Sequence, residues 1–531
     1  MERDFQTPGR SPVYSREASV ATSHPLATSA AIEILQNGGN AVDAAIAAAA
    51  VQAVVEPQMT GIGGDCFAIV MEPDGRMAGF NGSGAAPMAA TSEALLAKGV
   101  SEIEPTSVHA VTVPGAICAW ETLSKAHGKF KFSELFKRAI EYAEEGFPVA
   151  PRVHKDWKEH EAKLRLHPAT ERTYLPGGKV PEVGQIVKFP ALAETLKAIA
   201  AEGSKAFYQG TIAEDIIDTL EDLGSTMTMA DLAACHTTTV SPITRDYREH
   251  TIAELPPNGQ GVIALVTLGL LERFDIGKLD PLGPERFHLE MEAAKIAYAV
   301  RDKFVTDPGH MDVCHTRLIT SDYLDELAKM IDVDRCNTAI PAPVSAPQTD
   351  TIYLSVVDKD GLAVSFINSL FAGFGSGILA PESGVLLHNR GLSFKVEPGH
   401  ANTIAGGKRP MHTIIPAMGL KDGHPWLSFG VMGGHYQACG HAHVISNLLD
   451  FGMDVQQAID FPRMFFDIKT HVLEAESSIP AATIEGLKAR GHEVRAAAGA
   501  IGGSQAIMID RKKKLLIAGS DPRKDGHAAG Y

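Results

Sequence analysis

The chain has 531 residues, 45% of them hydrophobic and 21% charged, which is ordinary globular composition with length for a large core and roughly two to four domains. A net charge of −16 argues against a nucleic-acid or anionic-membrane surface, although a local basic pocket for a small anion stays open. No apolar signal segment follows Met1, the most apolar run (44–55) is too short to span a bilayer, and the six cysteines form no CxxC pair. These features point to a cytoplasmic protein with reduced thiols.

In chain order, residues 1–25 read as polar and irregular. A helix is predicted over 25–35, closed by Asn37-Gly38-Gly39-Asn40, and an Ala-rich helix, apolar nearly all round, over 41–55. The turn Gly61-Ile62-Gly63-Gly64-Asp65 precedes a strand over 66–71 and a second over 76–80. It lacks the Lys-Ser/Thr of a phosphate loop and precedes a strand rather than a helix, so nucleotide binding is not expected. From about 107 to 330 the pattern is mostly helical, with apolar residues at helical spacing over 189–201, 211–223 and 284–299.

A Pro/Ala-rich stretch, 338–350, then meets an apolar strand over 352–357, with Thr351 at the junction. On these residues alone, a plain strand-start threonine is the commoner case. Strands follow over 363–368 and 425–429. Gly433-Gly434 opens a helix to about 449, and strands over 505–510 and 514–518 close the chain. The alternation of helices with hairpin-like strands suggests α+β layers rather than a doubly wound parallel sheet. His435, His441 and His443 sit near Cys439, but at helical spacing they cannot share one face, and they read as helix or core histidines rather than metal ligands.

Several pieces together resemble the γ-glutamyltranspeptidase family of N-terminal-nucleophile (Ntn) hydrolases. They include Gly38-Gly39-Asn40-Ala41-Val42-Asp43, Pro256-Pro257-Asn258-Gly259-Gln260-Gly261, and the stretch from Thr351 to Asp358. Further matches are Phe374-Gly375-Ser376-Gly377, Lys408-Arg409-Pro410, Gly433-Gly434 and the closing Ser520-Asp521-Pro522-Arg523. They occur in family order over nearly the whole chain. The resemblance implies a four-layer αββα sandwich formed jointly by a large subunit (1–350) and a small subunit (351–531) after self-cleavage between Asp350 and Thr351. It also implies Thr351 as nucleophile, Ser369 as the hydroxyl that orients it, and Gly433 and Gly434 as the oxyanion donors. A freed N-terminal threonine carries its own base, because an α-amine with a pKa of about 7.7–8.0 can take the hydroxyl proton near neutral pH.

The sequence departs from the family where a γ-glutamyl group would be held. Its Arg-Glu-x-Ala-Pro becomes Ser83-Gly84-Ala85-Ala86-Pro87, an Asn becomes Phe371, an Asp becomes Ser393, and paired serines become His412 and Thr413. The rebuilt pocket is similar in character to an oxamate amidohydrolase-like branch. The expected substrate is a small carboxylate-bearing amide such as oxamate, with water as acceptor. Arg390, His412, Thr413 and Phe371 are the candidate binding residues; for Arg390 a surface salt bridge is an equal alternative. No cofactor and no metal are expected, and the two subunits could pair into a dimer of heterodimers. Competing readings are a γ-glutamyltransferase or glutathione hydrolase, a cephalosporin-type acylase, and an unprocessed binding protein.

Overall fold

The computed structural model describes residues 9–341 and 350–531, so positions 342–349 of the Pro-rich stretch lie outside the described residues. Two seven-stranded sheets occupy the centre. The first runs His527–Gly530, Ser19–Thr22, Asp350–Val357, Ala363–Phe371, Asp65–Met71, Met77–Gly82 and Thr238–Val240. The second runs Val13–Ser15, Leu515–Ser520, Gly503–Asp510, His424–Met432, Ala417–Lys421, His250–Glu254 and Ile243–Tyr247. The pairings within both are antiparallel.

Side-chain alternation builds the layers. On Asp350–Val357, Ile352, Leu354 and Val356 face helices, while Tyr353 and Val357 face the other sheet. Cys66, Ala68 and Val70 alternate in the same way with Phe67, Ile69 and Met71. On the second sheet, Leu427, Phe429 and Val431 pack among residues of the helices Gly261–Leu271, Pro284–Phe304 and Tyr436–Leu449, while Ala253, Met418, Met432 and Ile507 point inward. Helix, sheet, sheet, helix is the predicted αββα sandwich. Every position of Ala363–Phe371 is buried, as a central strand covered on both faces requires, and each large apolar side chain there contributes about 1.5–3 kcal/mol.

The helix Ala41–Val55 is buried along its whole length, as its unbroken apolar pattern implies. Its start is fixed by a reciprocal cap: Asn40 Oδ1 accepts from Val42 N and Asp43 N at 3.1 Å, and Asp43 Oδ2 accepts from Asn40 N at 3.0 Å.

Several strands of the two sheets were not expected from the sequence. Ile243–Tyr247 and His250–Glu254 form a hairpin inside the stretch read as mostly helical, Ser19–Thr22 lies in the segment read as irregular, and Ala417–Lys421 was also missed. The hairpin ends the second sheet, and its outer strand is half-exposed and polar (Thr244, Arg245, Asp246), so it carries no apolar run. Residues on both sides of position 350 supply strands to both sheets. No described helix is long and apolar enough to cross a membrane.

Candidate active site

Thr351 sits at an irregularity in the first sheet. Asp350 pairs with Phe371 but Ile352 pairs with Asn368, so Ser369 and Leu370 together oppose Thr351. Such a bulge re-aims side chains. Here it sets Ser369 Oγ 3.0 Å from Thr351 Oγ1, with both residues buried. Ser369 Oγ also accepts from Phe371 N at 2.8 Å, which fixes its position.

The second sheet lies face to face with this strand. Ser428 Oγ is 2.9 Å from Ser355 Oγ, and a Cβ on Gly430 would come within 2.3 Å of the Tyr353 ring. The two strands therefore run past each other in opposite directions. The same two-residue step, continued, leads from Gly430 toward Met432 on one strand and from Tyr353 toward Thr351 on the other. Gly433 and Gly434 have φ of 118° and 56°, values that favour glycine. Their carbonyls are engaged on the helix side, Gly433 O by Tyr436 N at 3.1 Å and Gly434 O by Gln437 N at 3.3 Å and Gln260 Nε2 at 3.1 Å. The two N–H groups are what this turn offers to a developing oxyanion, with the N-terminus of Tyr436–Leu449 just behind.

Ser369 is also the cross-strand neighbour of Asp65, which anchors the remaining site residues. Asp65 Oδ2 accepts from His412 Nε2 at 2.9 Å, His388 Nδ1 at 3.0 Å and Arg390 Nε at 3.1 Å, and Oδ1 accepts from Gly84 N at 3.3 Å. Burial alone would raise the Asp65 carboxyl; His388 and His412 outweigh it and hold the group well below the usual carboxylate range. Burial lowers His412 to about 3, helped by the Arg390 charge, so its ring is neutral. With Nε2–H directed at Asp65, its Nδ1 accepts from Ile414 N at 3.4 Å. Both ring nitrogens of His412 are thus engaged.

Arg390 is fully buried, so the surface salt bridge weighed from the sequence is corrected to an interior ion pair. Its Nη1 donates to Thr413 Oγ1 at 3.1 Å, and its guanidinium lies 4.1 Å from the centre of the Phe371 ring. Burial brings it down to about 10, still a cation at neutral pH. Arg390 Nη2 has no hydrogen-bond partner among the described residues. Phe371 has φ of 76°, a strained value for a non-glycine residue, and it turns the chain just where its N–H meets Ser369 Oγ. The structure therefore joins Thr351, Ser369, Phe371, Arg390, His412, Thr413 and Gly434 into one chain of contacts. Ser83 lies buried beside it, hydrogen-bonded to Asn81 and Asn258.

Asp65, His388 and Gln260 were not singled out from the sequence. The available signal was an acid at the head of the otherwise apolar strand Asp65–Met71, since a buried charge requires partners. A cleft of about 690 Å³ opens beside Gly433. Two of the basic groups on its wall are paired locally, Lys155 with Glu159 at 3.0 Å and Arg495 with Glu474 at 2.6 Å.

A model of the gamma-glutamyltranspeptidase family matches residues 27–531. The chain belongs to the gamma-glutamyltranspeptidase family. It is 36% identical to the glutathione hydrolase-like YwrD proenzyme of Bacillus subtilis (strain 168), over 98% of this chain and 99% of that one. It is 35% identical to the oxamate amidohydrolase proenzyme of Klebsiella pneumoniae, over 97% and 99%. Among solved structures, a cephalosporin acylase from Bacillus halodurans superposes with a TM-score of 0.93 at 38% identity, covering 100% of this chain and 99% of that one. The protein is accordingly a hydrolytic enzyme acting on amides, with the Ntn-hydrolase fold of its family.

Within this gamma-glutamyltranspeptidase fold, His441 and His443 are core histidines bonded to Glu254 and Glu290 at 2.6 and 2.7 Å. Among the described residues, one group has the composition of a metal site, His288, Glu292 and His492. Its groups are bonded to one another and to neighbours, except His492 Nδ1, which is buried without a partner among the described residues. His288 Nδ1 is 2.7 Å from His492 Nε2, and Glu292 accepts from Lys295 Nζ at 2.7 Å and Asn337 N at 2.9 Å.

The glycine pair is open to a direct test. A Cβ at Gly433 would lie 2.7 Å from Gly502 Cα, in a backbone conformation that L side chains avoid. Gly433→Ala is expected to fold with lower stability and to lose about 10²–10³ in kcat as the peptide plane rotates. A Gly433→Ala protein with normal kcat would remove the oxyanion role from this turn.

Proposed function

We propose that the chain is made as a precursor that cuts itself between Asp350 and Thr351, and that the mature enzyme hydrolyses a small carboxylate-bearing amide, with oxamate the leading candidate. The observation that carries this is the bulge that brings Ser369 Oγ to Thr351 Oγ1 opposite the Gly433–Gly434 turn. In the mature form, Thr351 Oγ1 attacks the amide carbonyl and its proton passes to the Thr351 α-amine. The oxyanion is received by the glycine N–H groups, and the amine returns the proton to the leaving nitrogen. Water then attacks the acyl-enzyme, releasing the acid and restoring the hydroxyl.

The substrate class follows from charge. A γ-glutamyl donor brings an α-carboxylate and an α-amine, each needing a partner when buried. Ser83 and Ser393 provide no charge for either. Arg390 Nη2 is an unused buried donor suited to one carboxylate. Relatives named as oxamate amidohydrolase and glutathione hydrolase-like make the comparison concrete. The cleft beside Gly433 is larger than oxamate needs, which favours a bulkier amide of the acylase type as a second reading.

The mature enzyme is therefore to be assayed with oxamate, glutathione, γ-glutamyl-p-nitroanilide and a cephalosporin side-chain amide. Oxamate turnover is expected, with KM raised about tenfold or more in Arg390→Lys, which keeps the charge toward Asp65 but loses the guanidinium fork. Turnover of the glutamyl compounds with none of oxamate would reject the rebuilt pocket.

A further inference from the structure

Cys118 and Cys235, 117 residues apart in the chain, meet at the start of the helix Ala116–His127. Cys118 Sγ lies 3.9 Å from Cys235 O, and the Cys235 thiol donates to the Cys118 sulfur. Thr237 Oγ1 donates to the same sulfur at 3.4 Å. Both cysteines are free and partly exposed, whereas Cys66 and Cys439 are buried.

The two sulfurs differ in chemistry. The bond from Cys235, joined by those from Thr237, outweighs burial and brings the Cys118 thiol down to about 6, so it is largely thiolate at neutral pH. Its place in the first turn of a twelve-residue helix favours the same charge. The bond to Cys118 holds the Cys235 thiol well above its usual value, so Cys235 keeps its proton. A thiolate next to a second thiol is the arrangement of a reactive cysteine and its resolving partner. An S–S bond of about 2.05 Å needs the sulfurs to close from hydrogen-bond distance. Cys235 is placed to move, because it lies in the connection between the short helix Met229–Ala233 and the strand Thr238–Val240.

The pair also backs the active site. Cys235 Sγ lies 3.6 Å from Pro114 O, which accepts from Tyr208 Oη at 2.8 Å. On one side of Pro114, Thr112 O is 2.8 Å from His388 Nε2. On the other, Gly115 N and Ala116 N both donate to Gly64 O at 2.9 Å. Residues 112–116 therefore touch a partner of Asp65 and the residue before it. A disulfide has no S–H, so it would leave Pro114 O with Tyr208 alone.

We propose that Cys118 and Cys235 are a hydroperoxide-sensitive redox pair, Cys118 the reacting sulfur and Cys235 the resolving one. The Cys118 thiolate attacks a peroxide oxygen, the O–O bond breaks, and Cys118 becomes a sulfenic acid as hydroxide leaves. The Cys235 sulfur then displaces the sulfenic hydroxyl and gives up its proton. One hydrogen peroxide and two thiols yield one disulfide and two waters, with two electrons passing from sulfur to peroxide. None of this depends on which amide the enzyme hydrolyses.

The test is to treat the purified protein with hydrogen peroxide, alkylate the remaining thiols and map the peptides by mass spectrometry. The expected product is a crosslink between the Cys118 and Cys235 peptides, two hydrogens lighter than the reduced pair and reversed by dithiothreitol. It should form at least tenfold faster than Cys66 or Cys439 is oxidised. Cys235→Ser, whose hydroxyl can still donate to Pro114 O, should stop at a Cys118 sulfenic acid that dimedone traps. Amide hydrogen exchange over 112–116 should rise in the oxidised wild type and return on reduction. Oxidation of Cys118 no faster than that of Cys439 overturns the pair, and so does a wild type that gives no crosslink. The wild-type map decides this even where Cys235→Ser is unstable. A crosslink that leaves exchange over 112–116 unchanged overturns the link to the active site.

Discussion

Thr351→Ala is expected to give a single full-length band on a denaturing gel and no amide turnover, where the wild type gives two bands corresponding to residues 1–350 and 351–531. The hydroxyl is needed twice, first as nucleophile on the peptide bond before it and then on the substrate, so its loss removes both steps. Removing the nucleophile of a covalent-catalysis enzyme commonly costs on the order of 10⁴-fold or more. The fold should survive, because the change removes a single hydroxyl, 3.0 Å from Ser369 Oγ, from a strand held by its backbone pairing. Thr351→Ser keeps the hydroxyl and should still mature. The two products should not separate without denaturant, because strands from both sides of position 350 interleave: Asp350–Val357 lies between Ser19–Thr22 and Ala363–Phe371. A wild-type chain that stays whole and binds but does not turn over amides would support a binding protein instead. A Thr351→Ala chain that still matures would move the nucleophile elsewhere.

Much of the frame was legible from local pattern. The buried helix Ala41–Val55 begins and ends where its apolar run and its Asn40 cap place it, and the strand after the Pro-rich stretch covers the predicted apolar run 352–357, starting two residues earlier. The polar hairpin Ile243–Glu254 was not, because half-exposed strands at a sheet end lack the apolar run that periodicity detects. The site divides in the same way. Thr351, Ser369 and the glycine pair were reached through motif spacing, whereas Asp65 meets His388, Arg390 and His412 across sequence separations of 323, 325 and 347 residues. No local pattern encodes such a meeting. Arg390 shows the limit within one residue. Its sequence setting left a carboxylate ligand and a surface salt bridge equally open; complete burial removes the second and replaces it with an interior pair to Asp65.

Asp65→Asn is expected to destabilise the protein by about 3–5 kcal/mol, the usual consequence of removing one member of a buried ion pair, and to abolish activity. The carboxylate uses both oxygens as acceptors, Oδ2 from three donors and Oδ1 from Gly84 N. An asparagine has one oxygen. Whichever way its amide turns, its NH₂ faces either Gly84 N–H or the three nitrogens, and Arg390 is left as a buried cation without its counter-charge. Ser369 lies beside Asp65 across the strands, so the loss reaches Thr351 directly. The check is the denaturant midpoint at neutral pH, with gel analysis of maturation. The sign with pH is also set. The Asp65 carboxyl is held low in the folded state, so its contribution is complete above the ordinary carboxylate pKa of about 3.9 and fades as pH falls through the lowered value. The gap between wild type and Asp65→Asn should therefore hold through mildly acidic pH and close only in strong acid. Adding Arg390→Met to Asp65→Asn removes the stranded cation and should recover part of the loss. An Asp65→Asn protein of wild-type stability would mean that the three nitrogens do not depend on the carboxylate.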